Sequence, residues 1–145
     1  MALKVELKPG ERIIIGESVI TNDNQRTRLF IEGSAPILRE KDILTAKTAN
    51  TPAKRIYLCV QLMYLSQDVA KFQKEYFEFV KDIIEAAPST LDIVSTISNY
   101  ILSDSLYKAL KEARALIEYE KKLISHVQSG GAGVPADPAA DGQPA

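Results

Sequence analysis

The sequence predicts an α+β fold. A small antiparallel β-sheet built of hairpins is expected over residues 1–45, a bundle of about four α-helices over 46–128, and a disordered tail over 129–145. Three observations carry this. Leu3 to Lys8 alternates apolar and charged residues strictly, the period-two signature of a half-buried strand. From Thr51 onward the apolar residues recur at helical spacing, beginning at Thr51-Pro52, a capping hydroxyl followed by proline at the first helical position. Beyond Ser129 the chain reads GGAGVPADPAADGQPA. With Val134 its single large hydrophobe, that segment buries too little to offset its ordering entropy.

In the β segment, Leu3, Val5 and Leu7 share one face, and Lys4, Glu6 and Lys8 the other. Pro9-Gly10 is a turn. Arg12 to Ile15 forms the second strand, Gly16 allows a bend or bulge, and Val19-Ile20 resumes the strand. Residues 21–25, Thr-Asn-Asp-Asn-Gln, are turn chemistry. Arg26 to Glu32 is the third strand, with Thr27, Leu29 and Ile31 on one face and Arg26, Arg28, Phe30 and Glu32 on the other. Gly33 to Pro36 ends it. Ile37 to Arg39 adds a short strand, and Glu40 to Leu44 a single helical turn.

The first helix runs from Pro52 to about Leu65. Ile56, Cys59, Val60 and Met63 lie on one face, and Tyr57, Leu58, Leu62, Tyr64 and Leu65 on the others. A helix apolar nearly all round belongs at the centre of the fold. The second, about Gln67 to Ala87, carries the stripe Val69, Phe72, Tyr76, Val80, Ile83 and Ala87, and Pro88 stops it. Ser89 with Asp92 resembles a capping box opening a third helix to about Leu102. Asp104 is expected to cap the fourth. Its stripe is Leu106, Ala109, Leu110, Ala113, Leu116, Ile117, Leu123 and Ile124, with Lys108, Lys111, Glu112, Arg114, Glu118, Lys121 and Lys122 toward water.

Composition narrows the function. The chain has 145 residues, 18 basic and 19 acidic, for a net charge of -1. Coating nucleic acid by bulk charge is excluded. The charge is uneven, however: residues 1–55 hold ten basic and seven acidic side chains. A single cysteine, Cys59, excludes an internal disulfide framework and fits a reducing compartment. A single histidine, His126, excludes poly-His metal sites and is expected at a helix C-terminus. Gly10 and Gly16 lack the lysine and hydroxyl of a phosphate loop. No acid/base pair or activated nucleophile emerges, so neither an enzyme nor a cofactor or metal site is expected. The N-terminus lacks the apolar core of a signal peptide. Charge-free stretches such as the 12 residues from Ile56 to Gln67 are too short to span a bilayer. A cytoplasmic protein with no membrane partner is expected.

The informative cluster is the outer face of the third strand, where Arg26, Arg28 and Phe30 project together. Guanidinium groups pair with phosphates and stack on bases, and an aromatic ring is a stacking platform for unpaired bases. Lys4, Lys8 and Arg12 are expected to join from neighbouring strands. Arg39, Lys41, Lys54 and Arg55, where sheet hands over to helices, extend the patch. The plain alternative is a solvated sheet face whose Phe30 packs under a helix.

Four segments, LKPGERIIIGESVI, RTRLFIEGSAPILREKDIL, ANTPAKRIYLCVQLMY and YKALKEARALIEYEKKL, occur in the order in which they resemble the flagellum biosynthesis repressor family FlbT. The resemblance implies an RNA-binding regulator. Such a protein binds the 5′ untranslated region of flagellin mRNA, represses translation and promotes loss of the transcript. The partners it implies are the flagellin mRNA leader and, as a protein, flagellin or the regulator FlaF, but not DNA. A shorter segment, Gly10 to Val19, is similar to the G-E-x-x-x-I-G-x-x-V pattern of the carbon storage regulator CsrA, with Ala35-Pro36 and Arg39-Glu40-Lys41-Asp42-Ile43 following. That resemblance implies an RNA contact at Arg39 and further ones from the first strand, at positions that correspond loosely to Leu3 and Lys4. Two residues between Pro36 and Arg39 are fewer than in that family, so its last strand is expected to be shortened or lost. The free sheet edge and the all-round apolar helix favour a homodimer. The competing class is a protein-binding flagellar adaptor or flagellin chaperone, with Tyr57, Tyr64, Phe77, Phe79 and Tyr100 as its surface. Core packing or a self-association seam is the plain alternative for those aromatics.

Overall fold

The computed structural model describes residues 2–130. Among them are five strands, β1 (Ala2–Leu7), β2 (Arg12–Ile15), β3 (Ser18–Thr21), β4 (Thr27–Glu32) and β5 (Ile37–Arg39). Four helices follow, α1 (Pro52–Ser66), α2 (Val69–Ala86), α3 (Leu91–Leu102) and α4 (Leu106–Gly130). The α+β architecture is the expected one. Ser129 and Gly130 continue α4, and the rest of the expected tail, 131–145, lies outside the described residues.

The strands form two antiparallel ladders, β1-β4 and β3-β2-β5. Side-chain alternation stacks them into layers. Val5 and Leu7 of β1 and Leu29 and Ile31 of β4 pack against Ile13, Ile15 and Ile37 in one small core. The opposite face of the second ladder supplies Ile14 and Leu38 to the large helical core. The order is therefore β1/β4 outermost, then β3/β2/β5, then helices, and the β1-β4 ladder has one face left for solvent.

Gly16 does more than bend a strand. Ile15 pairs with Ser18, so Gly16-Glu17 is a two-residue hairpin turn. Gly16 has φ +62° and Glu17 is not left-handed, the pattern of a type II′ turn with glycine first. The Pro9-Gly10 turn does not pair β1 with β2. It leads instead to the 21–25 loop: Gly10 N donates to Asp23 O at 2.9 Å, and the Asn22 amide donates to Lys8 O and Gln25 O at 2.8 Å each.

α1 lies at the centre, packed against both α2 and α4. Ile56, Val60 and Met63 are fully buried. A second row on α1, Tyr57, Gln61 and Tyr64 at i, i+4 and i+7, hooks the incoming chain by its backbone. Tyr57 Oη donates to Asp42 O at 2.6 Å. The Gln61 amide brackets Leu44 N and O at 2.9 Å each. Tyr64 Oη takes the Ile37 N–H at 3.0 Å and donates to Ile37 O at 3.1 Å. These contacts correct the expected aromatic adaptor surface: Tyr57 is buried, Tyr64 clasps β5, Phe79 and Tyr100 are partly buried, and Phe77 alone of the five is exposed.

The caps differ from expectation in three places. Ser89 and Asp92 form no capping box, because Pro88–Thr90 is a 3₁₀ turn and Ser89 Oγ accepts from Tyr119 Oη at 2.7 Å. Asp104 does not cap α4. It adopts φ +58°, and the carbonyl of Ser105 accepts the first helical bond, from Ala109 N at 2.9 Å. α2 begins at Val69 because Gln67 ends α1 in the left-handed region and Asp68 Oδ1 caps α2 through Lys71 N.

Two α4 side chains also change places. Ile124 is 44% exposed, because the 25-residue α4 outruns its 15- and 12-residue neighbours. Arg114 is half-buried: its Nη2 meets Asp42 Oδ1 and Tyr57 Oη at 3.2 Å each, and its guanidinium lies over the Tyr57 ring.

Glu120 is buried, a charge the helical pattern did not single out. Its carboxylate accepts from Thr51 Oγ1 at 2.6 Å and from Ala53 N at 3.0 Å. It thus seats α4 on the N-terminus of α1, where unpaired N–H groups and the helix dipole favour an anion. Glu120→Gln keeps the shape and one acceptor oxygen but loses the charge. An unfolding free energy lower by about 1 kcal/mol is expected in urea melts; an unchanged midpoint would show that the charge stabilises nothing there.

Candidate nucleic-acid interface

The β1-β4 register decides which side chains share the open face. Lys4 pairs with Phe30, Glu6 with Arg28, and Ala2 with Glu32. All six are exposed, while Val5, Leu7, Leu29 and Ile31 point the other way. Lys8 and Arg26, both exposed, follow directly after the last ladder pair, Leu7 with Thr27. Phe30 is 66% exposed at the middle of this face. It does not pack under a helix, the place the plain alternative gave it, although the sheet face around it is solvated as that alternative had it.

The face is locally balanced in charge. Within the ladder, Lys4 and Arg28 stand with Glu6 and Glu32. Arg28 Nη2 meets Glu6 Oε2 at 3.1 Å across the strands. Chemically the surface offers a flat ring beside an ammonium, with a guanidinium held ready one pair further along. That combination suits an unpaired base and its phosphates.

The remaining expected residues stand elsewhere. Arg12 shares the parity of Ile14, which faces the helices, and its Nη2 lies 3.8 Å from Glu40 Oε2. Arg39 shares the parity of Ile37 and points under the β1-β4 ladder. Its Nη2 donates to Glu6 O at 2.7 Å and meets Glu11 Oε2 at 3.3 Å, and its Nε is buried with no hydrogen-bond partner among the described residues. Arg39 therefore joins the two ladders. Lys54 and Arg55 sit in the first turn of α1, on the helical layer. Lys41, exposed, belongs to the 3₁₀ turn Glu40–Asp42. The structure thus groups Lys4, Arg28 and Phe30, with Arg26 and Lys8 adjoining, and leaves Arg12, Arg39, Lys54 and Arg55 outside that face.

Glu11, the glutamate of the Gly10–Val19 pattern, is a companion of Arg39 that was not among the expected site residues. The Lys8 backbone N–H, donating to Glu11 Oε1 at 2.8 Å, is the largest influence holding its carboxyl below the ordinary carboxylate range. Partial burial opposes that shift and the Arg39 guanidinium adds to it. Burial pushes the Cys59 thiol up to about 11, so it stays a protonated core group. Among the described residues no group of three or more His, Cys, Asp or Glu side chains is placed to hold a metal ion, and no helix is long and apolar enough to cross a membrane.

Residues 3–124 match the family model described as flagellar protein FlbT. The chain is 61% identical over 125 residues to a probable flagellum biosynthesis repressor protein FlbT of Rhodopseudomonas palustris, covering 86% of this chain and 99% of the relative. It is also 61% identical over 124 residues to such a protein of Bradyrhizobium diazoefficiens, covering 85% of each. To the flagellum biosynthesis repressor protein FlbT of Caulobacter vibrioides it is 38% identical over 133 residues, covering 90% of this chain and 94% of the relative. No solved structure matches the chain significantly. With a family match over both ladders and most of the helical layer, the chain belongs to the FlbT family of flagellar proteins.

Proposed function

We propose that this chain is a post-transcriptional repressor of flagellin synthesis that binds the 5′ untranslated region of flagellin mRNA through the open face of the β1-β4 ladder. In this reading it acts in the cytoplasm without enzymatic activity, blocking translation and exposing the transcript to degradation by other proteins. The carrying observation is Phe30, an exposed aromatic paired with Lys4 and two residues from Arg28 on the outermost layer of the fold. The names of the relatives, flagellum biosynthesis repressors, support the regulatory half of the reading. The target is unpaired leader RNA, because side chains do not reach base edges in the narrow major groove of duplex RNA.

The test is a gel-shift titration against the flagellin leader and a scrambled RNA of equal length, at two salt concentrations. Arg28→Glu, which replaces one phosphate contact by repulsion, is expected to bind about fivefold more weakly and with a shallower salt dependence. Its circular dichroism spectrum should match wild type, since Arg28 is exposed. Absence of leader binding by folded wild-type protein would move the weight to a protein-binding flagellar adaptor or flagellin chaperone. One feature favours that second reading. An open cleft of about 430 Å³ lies between Ala35-Pro36, Tyr64 and the start of α4, with Tyr107 on its wall. Leu102, 78% exposed, ends the helix just before it.

A further inference from the structure

We infer that Glu6 is an internal competitor for RNA phosphate: it latches Arg28 across the ladder and so sets how strongly the face prefers its own leader over any other RNA. The inference rests on the RNA reading of the face and deepens it. Glu6 is held from both ends. Its carbonyl oxygen is fixed by Arg39 Nη2 at 2.7 Å, and its carboxylate meets Arg28 Nη2 at 3.1 Å. Arg28 is the guanidinium that the β1-β4 register places on the same face as Phe30 and Lys4. The side chains of the pair are 56% and 46% exposed, so solvent and a ligand both reach it.

A phosphate can engage Arg28 only by displacing a carboxylate that then faces the bound strand. The swap leaves one anion unpaired and draws a cation back to the protein. The gain from backbone charge alone is therefore small, and an RNA that also stacks a base on Phe30 binds where a generic polyanion does not. The charge balance within the ladder fits this: its two cations, Lys4 and Arg28, are matched by Glu6 and Glu32, so the positive excess of the surface lies at Lys8 and Arg26, beyond the last pair.

Glu6→Gln removes the competitor and keeps the strand. It is expected to bind scrambled single-stranded RNA roughly fivefold more tightly, the upper end of what an exposed ion pair withholds. Leader RNA should gain less, so the selectivity ratio falls. Arg28 then acts as one further uncompensated phosphate contact, so the slope of log affinity against log salt steepens by roughly 0.7. The same measurements on Arg28→Gln and on the Glu6→Gln/Arg28→Gln double variant complete a cycle. In the Arg28→Gln background, Glu6→Gln should relieve only general repulsion and so strengthen scrambled binding clearly less than it does in wild type. Glu17→Gln, the same charge change on the β2-β3 turn, should leave the slope where it is.

If wild type binds the leader and Glu6→Gln neither strengthens scrambled binding nor steepens the slope, the latch is overturned and the RNA reading stands. Equal effects in the Arg28→Gln background or from Glu17→Gln also overturn it, because general repulsion would then account for them. If folded wild type binds no RNA, both fall together.

Discussion

Phe30→Ala is expected to weaken leader binding by roughly thirtyfold, about 2 kcal/mol for one lost base stack, without unfolding the protein. The two halves of that expectation have separate causes. Phe30 is 66% exposed on the solvent face of β4, so truncation opens no cavity in either core. Surface changes of this kind fall within about 0.5 kcal/mol of neutral. Stacking is the face's one apolar resource for an unpaired base, since its other side chains are charged or, at Ala2, small. Phe30→Tyr keeps the ring and should bind as wild type does. Fluorescence anisotropy with labelled leader RNA reads the affinity, and a thermal melt of each variant reads the fold. Full-strength binding by folded Phe30→Ala would remove this face as the RNA site.

The outer face was legible in the sequence because one side of each outer strand packs on a core and the other does not. Leu3 to Lys8 and Thr27 to Glu32 alternate accordingly, and the partition of Arg28 and Phe30 from Leu29 and Ile31 follows from period two alone. The face of Arg12 was not legible, for a matching reason. The run Ile13-Ile14-Ile15 has no alternation, since Ile13 and Ile15 enter the small core while Ile14 enters the large one. A strand covered on both sides hides which way its flanking charge points. Strand partners were hidden too: β1 passes over its neighbour β2 to pair with β4, and an alternating pattern specifies a face without specifying a partner.

The hooks on α1 failed to show for a third reason. Tyr57 and Tyr64 bond to main-chain oxygens of Asp42 and Ile37, and a backbone acceptor leaves no mark in the sequence. Gln61 did leave one. It is the single non-aromatic polar residue between Ile56 and Leu65, and an amide inside an otherwise apolar helix needs buried partners. Leu44 N and O supply them.

Arg39→Ala should cost about 2 kcal/mol of stability, where Arg28→Ala costs less than about 0.5, although both arginines stand beside Glu6. Arg28 touches its exposed carboxylate; Arg39 touches its backbone carbonyl from beneath, at 2.7 Å, and reaches Glu11 with the same nitrogen. Removing Arg39 leaves that carbonyl and the 85%-shielded Glu11 side chain without their cation, at the seam where β1/β4 rests on β5. RNA binding would then fall because the face is no longer held, so an affinity loss at Arg39 without a shift in the urea midpoint would refute the clamp. Acid provides an independent check. Glu11 has its folded pKa depressed below 4.5, first by the Lys8 N–H and then by Arg39. A depressed carboxylate contributes stability that is present above the unfolded value and is lost as pH falls through the folded one. Wild type should therefore lose stability progressively as pH falls below 4.5 and on through the depressed folded value, and Glu11→Gln, having no proton to take up, should lose less over the same descent. Arg39→Ala should fall between the two, because the Lys8 N–H still favours the ionised form when the guanidinium is gone. Identical acid losses in wild type and Glu11→Gln would mean that the Lys8–Glu11–Arg39 chain does not join the ladders.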